Sequence, residues 1–244
     1  MTPMHQPSFD VKLEGSAGTL IVGLAEYGLA GLTAADFLTT ELELVQTGHI
    51  SVDGIPAITP FENGTPRRHT RLFSKPDVDY TVLVGELAVP PFAAKPFVDG
   101  IAAQAEDSSL KEVVILSGVP IAHGPDDHRP FYIATEKYQN ARLTDTELTP
   151  MTGGFLEGVN AELMERALEA SLSTCVLTTP VHAQLPDIEA ALRLLEALDR
   201  IYGLELDTEP LKTFAEDLSK QYEELAARIE ASQKEHIADD RMYM

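Results

Sequence analysis

The densest group of chemically reactive side chains is the segment His123-Gly124-Pro125-Asp126-Asp127-His128. It places two imidazoles and two carboxylates within six residues, and all four groups are able to bind a metal ion. A metal site also needs ligands that a rigid frame holds in a defined geometry, whereas Gly-Pro followed by Asp-Asp is typical of a solvated turn. The segment therefore favours a turn, and we assign no metal ligand and no cofactor to this chain.

Two glycine-rich segments precede predicted helices, where free backbone amides are able to receive an anion. The first runs from Gly23 to Gly31 with the spacing G-x4-G-x2-G, which matches neither the dinucleotide-binding nor the phosphate-loop pattern. Gly31 more simply allows a helix to approach a strand closely. The second segment, 151–158, has no Lys or Arg after it until Arg166, which favours a tight connection. A ligand crevice at the strand ends would be formed by Gly23, Gly28, Ser117, Gly118, Gly153 and Gly154.

Nucleophilic residues do not occur in a recognisable catalytic pattern. Ser117-Gly118 lacks the G-x-S-x-G elbow that exposes a serine nucleophile. Cys175 is the only cysteine, so an intramolecular disulfide and a thiolate metal cluster are both excluded, and its apolar setting predicts a buried side chain. We predict no catalytic residue, which favours a protein that acts by binding.

The last three residues are Met242-Tyr243-Met244, a hydrophobic residue, a tyrosine and a terminal residue. A C-terminal carboxylate with two preceding side chains is a compact group that a complementary pocket is able to capture. The preceding segment, 232–241, is polar, so we expect it to hold these three residues in solvent. We therefore predict that Met242, Tyr243 and Met244 bind a partner.

The elements that must position these residues follow from the hydrophobic pattern. Short apolar runs predict strands covered on both faces, and apolar stripes between them predict helices. The strand runs are 19–24, 80–85, 113–117, 132–135 and 174–179. The helical stripes cover 32–45 with a stop at Gly48, 97–105, 159–170, and 188–202 between Pro186-Asp187 and Gly203. Segment 49–75 predicts an irregular loop or a small β-insertion. The alternation predicts an α/β fold, a three-layer α/β/α domain over 1–210 with a mostly parallel central sheet.

From residue 211 onward the pattern changes. Apolar residues follow a 4-3-4-3-4 spacing that is typical of a heptad seam, at Leu211, Ala215, Leu218, Tyr222, Leu225 and Ile229. The spacing fits a helix that packs on its own domain or on a neighbouring subunit. We treat 211–244 as a C-terminal helix followed by an exposed tail.

The charge balance limits the kinds of partner. The chain carries 39 Asp and Glu against 18 Lys and Arg, a formal net charge of −21. Such a surface repels nucleic acid and anionic membranes, and its spread along the chain predicts a protein adapted to high salt. No run of about 18 apolar residues and no apolar signal segment is present, so we expect a soluble, cytoplasmic protein.

Segment 151–175, followed by Thr178-Thr179-Pro180 and Leu185-Pro186-Asp187, resembles the proteasome-assembly-chaperone family in its archaeal and bacterial branch. Segment 18–36 is similar to the first unit of that family, and the acidic composition suggests a haloarchaeal member. The resemblance covers most of 15–210. It implies a nucleoside-phosphorylase-like fold, a homo-oligomer from trimer to pentamer, and no enzymatic activity.

The resemblance also implies a partner, the α-subunits of the core proteasome. Met242-Tyr243-Met244 is similar to the hydrophobic-tyrosine-any tails of proteasome activators, although many family members lack such a tail. In those tails the terminal carboxylate pairs with a pocket lysine and the tyrosine hydroxyl donates a hydrogen bond. We therefore expect an assembly chaperone or activator-like adaptor that works without ATP. The alternatives are a small-molecule enzyme of nucleoside or phosphate type that uses the strand-end crevice, and a plain oligomeric scaffold.

Overall fold

The computed structural model describes residues 9–13, 18–52, 55, 57–107, 110–170 and 172–213. The chain divides into two compact units, Met1–Leu206 and Asp207–Met244. Met242, Tyr243 and Met244 lie outside the described residues, as do the positions of the predicted heptad seam after Leu211. No helix in the described part of the chain combines the length and the apolar character needed to cross a lipid bilayer.

The first unit alternates strands and helices. The strands are β1 (Phe9–Leu13), β2 (Thr19–Leu24), β3 (Val45–Val52), β4 (Phe61–Glu62), β5 (Thr65–Pro66), β6 (Thr70–Ser74), β7 (Tyr80–Gly85), β8 (Glu112–Ile121), β9 (Phe131–Ala134), β10 (Thr149–Pro150) and β11 (Ser173–His182). The helices are α1 (Ala30–Glu41), α2 (Pro91–Asp107), α3 (Glu136–Tyr138), α4 (Gly158–Ala170) and α5 (Ile188–Tyr202). A 3-10 turn at Tyr27–Leu29 precedes α1, and a π-helical turn at Gln139–Leu143 follows α3.

Nine strands form one sheet in the order β1-β3-β6-β7-β2-β8-β11-β9-β10, and β4 and β5 pair separately. The central strands β7, β2, β8 and β11 are parallel to one another. Antiparallel pairs lie on both sides of this centre. Because the central strands share one direction, their last residues meet at one edge of the sheet, which we call the carboxyl edge.

Alternate residues of the central strands face two different helical layers, as strand geometry requires. On one face, Leu20 and Val22 of β2 and Ile115 of β8 belong to a buried cluster with α2 and α4. On the other face, α1 packs against β2, β8 and α5, and α5 also packs against β11. This arrangement confirms the predicted three-layer α/β/α class, with a parallel centre and antiparallel flanks.

The backbone of α1 lies very close to the sheet. A Cβ atom on Gly23 would lie 2.2 Å from the carbonyl oxygen of Gly31, and a Cβ on Gly31 would lie 2.0 Å from that of Leu116. Only glycine allows two backbones to approach this closely. The glycines of this segment therefore pack a helix onto strands, as the simpler interpretation of Gly31 predicted.

The predicted helix over 32–45 is wrong at its C-terminal end. α1 ends at Glu41, because Glu43 takes a left-handed conformation with φ 50° and the amides of Glu43 and Leu44 donate to carbonyls of the last turn. These bonds form a Schellman motif that has Glu in the position usually held by glycine. Gly48 does not stop a helix, since it lies in β3 beside a shift of register against β6.

Segment 49–75 contains more of the main sheet than the sequence indicated. The strands β4 and β5 are the small β-insertion, but β3 and β6 are members of the nine-stranded sheet. By contrast, α5 begins and ends where the sequence placed its caps. The side chain of Asp187 accepts a hydrogen bond from the amide of Ala190, and Gly203 takes φ 63° after the last turn.

Candidate functional site

The carboxyl edge holds several of the predicted site residues. Gly28 lies in the 3-10 turn after β2, and its carbonyl accepts the amide of Asp187 at 2.7 Å. A Cβ atom on Gly118 of β8 would lie 2.7 Å from the carbonyl oxygen of Tyr27. The turn after β2, the end of β8 and the start of α5 therefore form one packed region.

A polar cluster on one side of this region joins Glu26, Ser117 and Asn160. The hydroxyl of Ser117 donates to Oε2 of Glu26 at 2.7 Å. The amide of Asn160, in the first turn of α4, lies 3.0 Å from the oxygen of Ser117 and 3.3 Å from Oε2 of Glu26. Ser117 and Asn160 are buried, and Oδ1 of Asn160 has no hydrogen-bond partner among the described residues.

Glu26 carries a carboxyl group that is partly removed from water. Burial raises its pKa, the hydrogen bonds from Ser117 and Asn160 lower it, and the neighbouring charge of Glu157 raises it, with a net rise above the usual value. An ionised or partly ionised carboxylate at this position repels a phosphate group. The cluster is therefore poorly suited to the phosphate chemistry that a crevice at the strand ends first suggested.

Three amides of the glycine-rich turn donate hydrogen bonds within the protein. Those of Ala25, Glu26 and Leu29 donate to the carbonyls of Gly85, Leu24 and Glu26 respectively. A phosphate-binding turn needs amides that point at the ligand. Gly23, at the end of β2, is buried beneath α1. The described contacts of this segment thus support packing rather than anion binding.

Gly153 and Gly154 do not join the packed region. They lie in the loop between β10 and α4, where both are exposed, and a Cβ atom on either would meet no other atom within 4 Å. Gly154 has φ 149°, a conformation open to glycine. These two residues shape a connection, in line with the preferred interpretation of the second glycine-rich segment.

A second cluster at the carboxyl edge joins two histidines to one carboxylate. Nε2 of His128 lies 3.1 Å and Nδ1 of His182 lies 2.8 Å from Oδ2 of Asp187. The ligand-capable atoms of these three residues all lie within 4.8 Å of one another. His128 and Asp187 are buried, whereas the side chain of His182 is 49% exposed. The cluster is thus reachable from solvent on one side.

Asp187 has two structural tasks in this cluster. Oδ1 accepts the amide of Ala190 and caps α5, while Oδ2 accepts the backbone amide of His182 at 2.8 Å in addition to the two imidazoles. Burial would raise the pKa of Asp187, but the hydrogen bonds from His128, His182 and Ala190 outweigh burial and hold it far below its usual value. The hydrogen bond to Asp187 in turn raises the pKa of His128, although burial opposes this change.

The sequence identified only part of this cluster. Of the segment 123–128, the group of three potential metal ligands includes His128 alone, while His123, Asp126 and Asp127 are exposed. His182 and Asp187 are distant from this segment in the sequence, and no sequence pattern connects them with it. Asp187 had been recognised only as the residue that opens a helix.

The carboxyl edge also exposes large apolar side chains. Tyr27 and Leu185 follow the ends of β2 and β11, Ile121 is the last residue of β8, and Leu185 is 51% exposed. Phe155, in the loop before α4, is fully exposed. We call these four residues the apolar edge surface. Exposed apolar side chains at the ends of neighbouring strands are candidates for contact with another protein.

Comparison with known proteins identifies related chains. The model of a family described as the PAC2 family matches residues 20–226. An uncharacterized protein of Methanocaldococcus jannaschii is 24% identical over 216 residues, which are 88% of this chain and 88% of that protein.

Two solved structures from Pyrococcus furiosus share the fold. PbaA, described as an archaeal homolog of proteasome-assembly chaperone, matches with a TM-score of 0.83 and 23% identity, over 97% of this chain and 99% of PbaA. PbaB, described as an archaeal proteasome activator, matches with a TM-score of 0.76 and 18% identity, over 91% of this chain and 100% of PbaB.

Proposed function

Since this chain belongs to the PAC2 family, we propose that it is an assembly chaperone or activator-like adaptor of the core proteasome. It acts by binding, without ATP, in the cytoplasm of a cell with high internal salt. The observation that carries this proposal is the shared fold with PbaA and PbaB over nearly the whole chain, together with the family match. The sequence ending adds a specific mode of contact.

The contact we propose is the capture of Met242, Tyr243 and Met244 by a pocket between α-subunits of the core proteasome. The carboxylate of Met244 pairs with a lysine of the pocket, and the hydroxyl of Tyr243 forms a directional hydrogen bond. The side chain of Met242 fills an apolar recess. A tripeptide buries too little surface to bind tightly by itself, so tight binding requires a further source of affinity.

Self-association supplies that supplement. A homo-oligomer, from trimer to pentamer, presents several tails at once, and the second and later contacts become intramolecular. The apolar edge surface supports this part of the proposal because its exposed apolar side chains are available for contact between subunits or with the client. The high negative charge keeps the assembled protein soluble in concentrated salt.

The binding mode also accounts for the polar clusters better than an enzyme does. Ser117 donates its hydroxyl proton to Glu26, but Glu26 is itself engaged with Asn160 and belongs to a tightly packed turn. The described contacts of Ser117 are those of a packed polar cluster.

The test is capture of purified core proteasome from solution by the tagged chain in high-salt buffer. Four versions are compared: the intact chain, a chain lacking Met242–Met244, Tyr243→Ala, and a chain with one alanine added after Met244. We expect the intact chain to capture the core particle and the other three to lose most of the capture, since the added alanine displaces the carboxylate without removing a side chain. Equal capture by all four would refute tail docking, and no capture by the intact chain would refute the proposed function.

A further inference from the structure

We propose that His128, His182 and Asp187 form a binding site for one zinc ion. The ligands are Nε2 of His128, Nδ1 of His182 and Oδ2 of Asp187, which all lie within 4.8 Å of one another. The three residues come from the loop after β8, the end of β11 and the start of α5. No metal site was predicted from the sequence, because these three residues are not neighbours along the chain.

The two nitrogen–oxygen separations are close to those around a zinc ion, and the two imidazole nitrogens, which lie within 4.8 Å of each other, must come to about 3.3 Å. Zinc binds imidazole nitrogen and carboxylate oxygen at about 2.0–2.2 Å in tetrahedral geometry, which places neighbouring ligand atoms about 3.3 Å apart. The observed nitrogen–oxygen separations are 3.1 Å for His128 and 2.8 Å for His182. The ion takes the place of the imidazole protons that point at Asp187. The side chain of His182 is 49% exposed, so we expect this ligand to make the movement that remains.

The carboxylate of Asp187 is already oriented for this role. Oδ1 accepts the amide of Ala190, and the backbone amide of His182 donates to Oδ2. Both bonds involve backbone groups, so they persist when an ion replaces the imidazole protons. Zinc binding therefore does not require the loss of the cap of α5.

A charged group lies beside one imidazole and the loop backbone beside the other. Nδ1 of His128, the nitrogen that faces away from Asp187, lies 3.9 Å from a carboxylate oxygen of Glu189. This separation is too long for a hydrogen bond, so the carboxylate acts on the ring through its charge. The carbonyl of His128 accepts the hydroxyl of Thr179 at 2.5 Å, which anchors the loop. Next to His182, a Cβ atom on Gly124 would lie 2.7 Å from Nε2, so this ring packs directly on the loop backbone.

The ligand set selects the kind of ion. Two imidazoles and one carboxylate suit late first-row divalent metals, whereas magnesium and calcium prefer oxygen ligands. Three protein ligands leave the fourth position of a tetrahedral ion open, and the exposed side of His182 allows water to occupy it. The acidic surface, with its formal charge of −21, raises the local concentration of cations.

The experiment is titration of the purified, EDTA-treated full chain with Zn²⁺ by calorimetry, followed by substitution with Co²⁺ and measurement of its visible absorption. Neither requires the proteasome, so the result is independent of the proposed function. We expect one ion per chain and a Co²⁺ spectrum of tetrahedral type. We also expect zinc to raise the melting temperature, because an ion that binds only the folded state stabilises it.

The variants are His182→Gln and His128→Gln, with His123→Gln as the matched control because it is an exposed histidine of the same loop outside the cluster. Each ligand variant is expected to weaken zinc binding by at least 100-fold, and Glu189→Gln by about 10-fold. The control should bind as the intact chain does. His182 is half exposed, so its replacement leaves a folded protein to test. Failure of the intact chain to bind zinc, or unchanged binding by folded His182→Gln, would overturn the proposal.

Discussion

The close approach of α1 to the sheet makes Gly31→Ala a severe substitution. Its Cβ atom would lie 2.0 Å from the carbonyl oxygen of Leu116, while ordinary contacts begin at 3.4 Å. The helix would have to withdraw by about 3.4 − 2.0 = 1.4 Å to remove the overlap. The obstructing atom belongs to the backbone of a central strand, so no rotamer change relieves it.

The expected loss of stability follows from two opposing effects. Overpacking a buried site destabilises a protein by about 1–3 kcal/mol, and withdrawal of α1 also loosens the buried contacts of Ala34 and Leu38. Alanine in a helix regains about 1 kcal/mol relative to glycine. Because the overlap is with backbone, we place the packing cost at the upper end of its range and expect a net loss of about 2 kcal/mol. Gly23→Ala should displace the same helix through a second contact, the carbonyl oxygen of Gly31.

The assay is urea unfolding of Gly31→Ala, Gly23→Ala and the double variant in constant high salt, with Gly153→Ala as the control. Both single substitutions push α1 in the same direction, so the double variant should lose less stability than the sum of the two. Gly153 has open space around its Cβ position, and its substitution should change stability by less than about 0.5 kcal/mol. If Gly31→Ala were as stable as the intact chain, the argument from close backbone approach would be refuted.

Three further predictions concern the carboxyl edge and the core. Asp187→Ala should lower the free energy of unfolding in EDTA by about 2–3 kcal/mol, because it removes a helix cap and leaves buried donors unpaired. Asp187→Asn should lower it by only about 1 kcal/mol, and equal losses for the two variants in urea unfolding would contradict this reasoning. Burial raises the pKa of Glu26 in the folded state, so ionising this carboxyl lowers the stability of the folded protein as the pH rises above 4.5, the usual pKa of Glu. In urea unfolding, Glu26→Gln should therefore be more stable than the intact chain near pH 8 and equally stable near pH 4. Cys175 is fully buried and burial raises its pKa, so a thiol reagent should modify it only at the rate at which the protein unfolds. Rapid labelling of the native protein would show that this thiol is accessible and contradict the prediction.

Much of the fold could be predicted from the sequence because the central strands are covered on both faces. Their apolar runs match β2 and β7 to the residue, and the caps at Asp187 and Gly203 mark the ends of α5. The error at α1 has a local cause. Glu43 takes a left-handed conformation at a position where glycine is usual, so the sequence contains no glycine that would indicate the end of the helix.

The candidate site was harder to predict because its contacts join distant parts of the chain. Ser117 and Glu26 are separated by 91 residues, and His128 and Asp187 by 59. Ser117 and the turn around Glu26 could be predicted as site residues from their places near strand ends, and His128 from the segment of ligand-capable residues that contains it. The order of the parallel strands could not be predicted from the sequence, and this order determines which turns meet at the carboxyl edge.

The central claim, docking of the C-terminal residues on the proteasome, is tested most directly by a pair of dissociation constants. Binding to immobilised rings of α-subunits is measured for the intact chain and for a chain that ends at Arg241. We predict that the shortened chain binds at least about 100-fold more weakly, a difference of about 2.7 kcal/mol shared among several tails. Equal dissociation constants for the two chains would contradict the account.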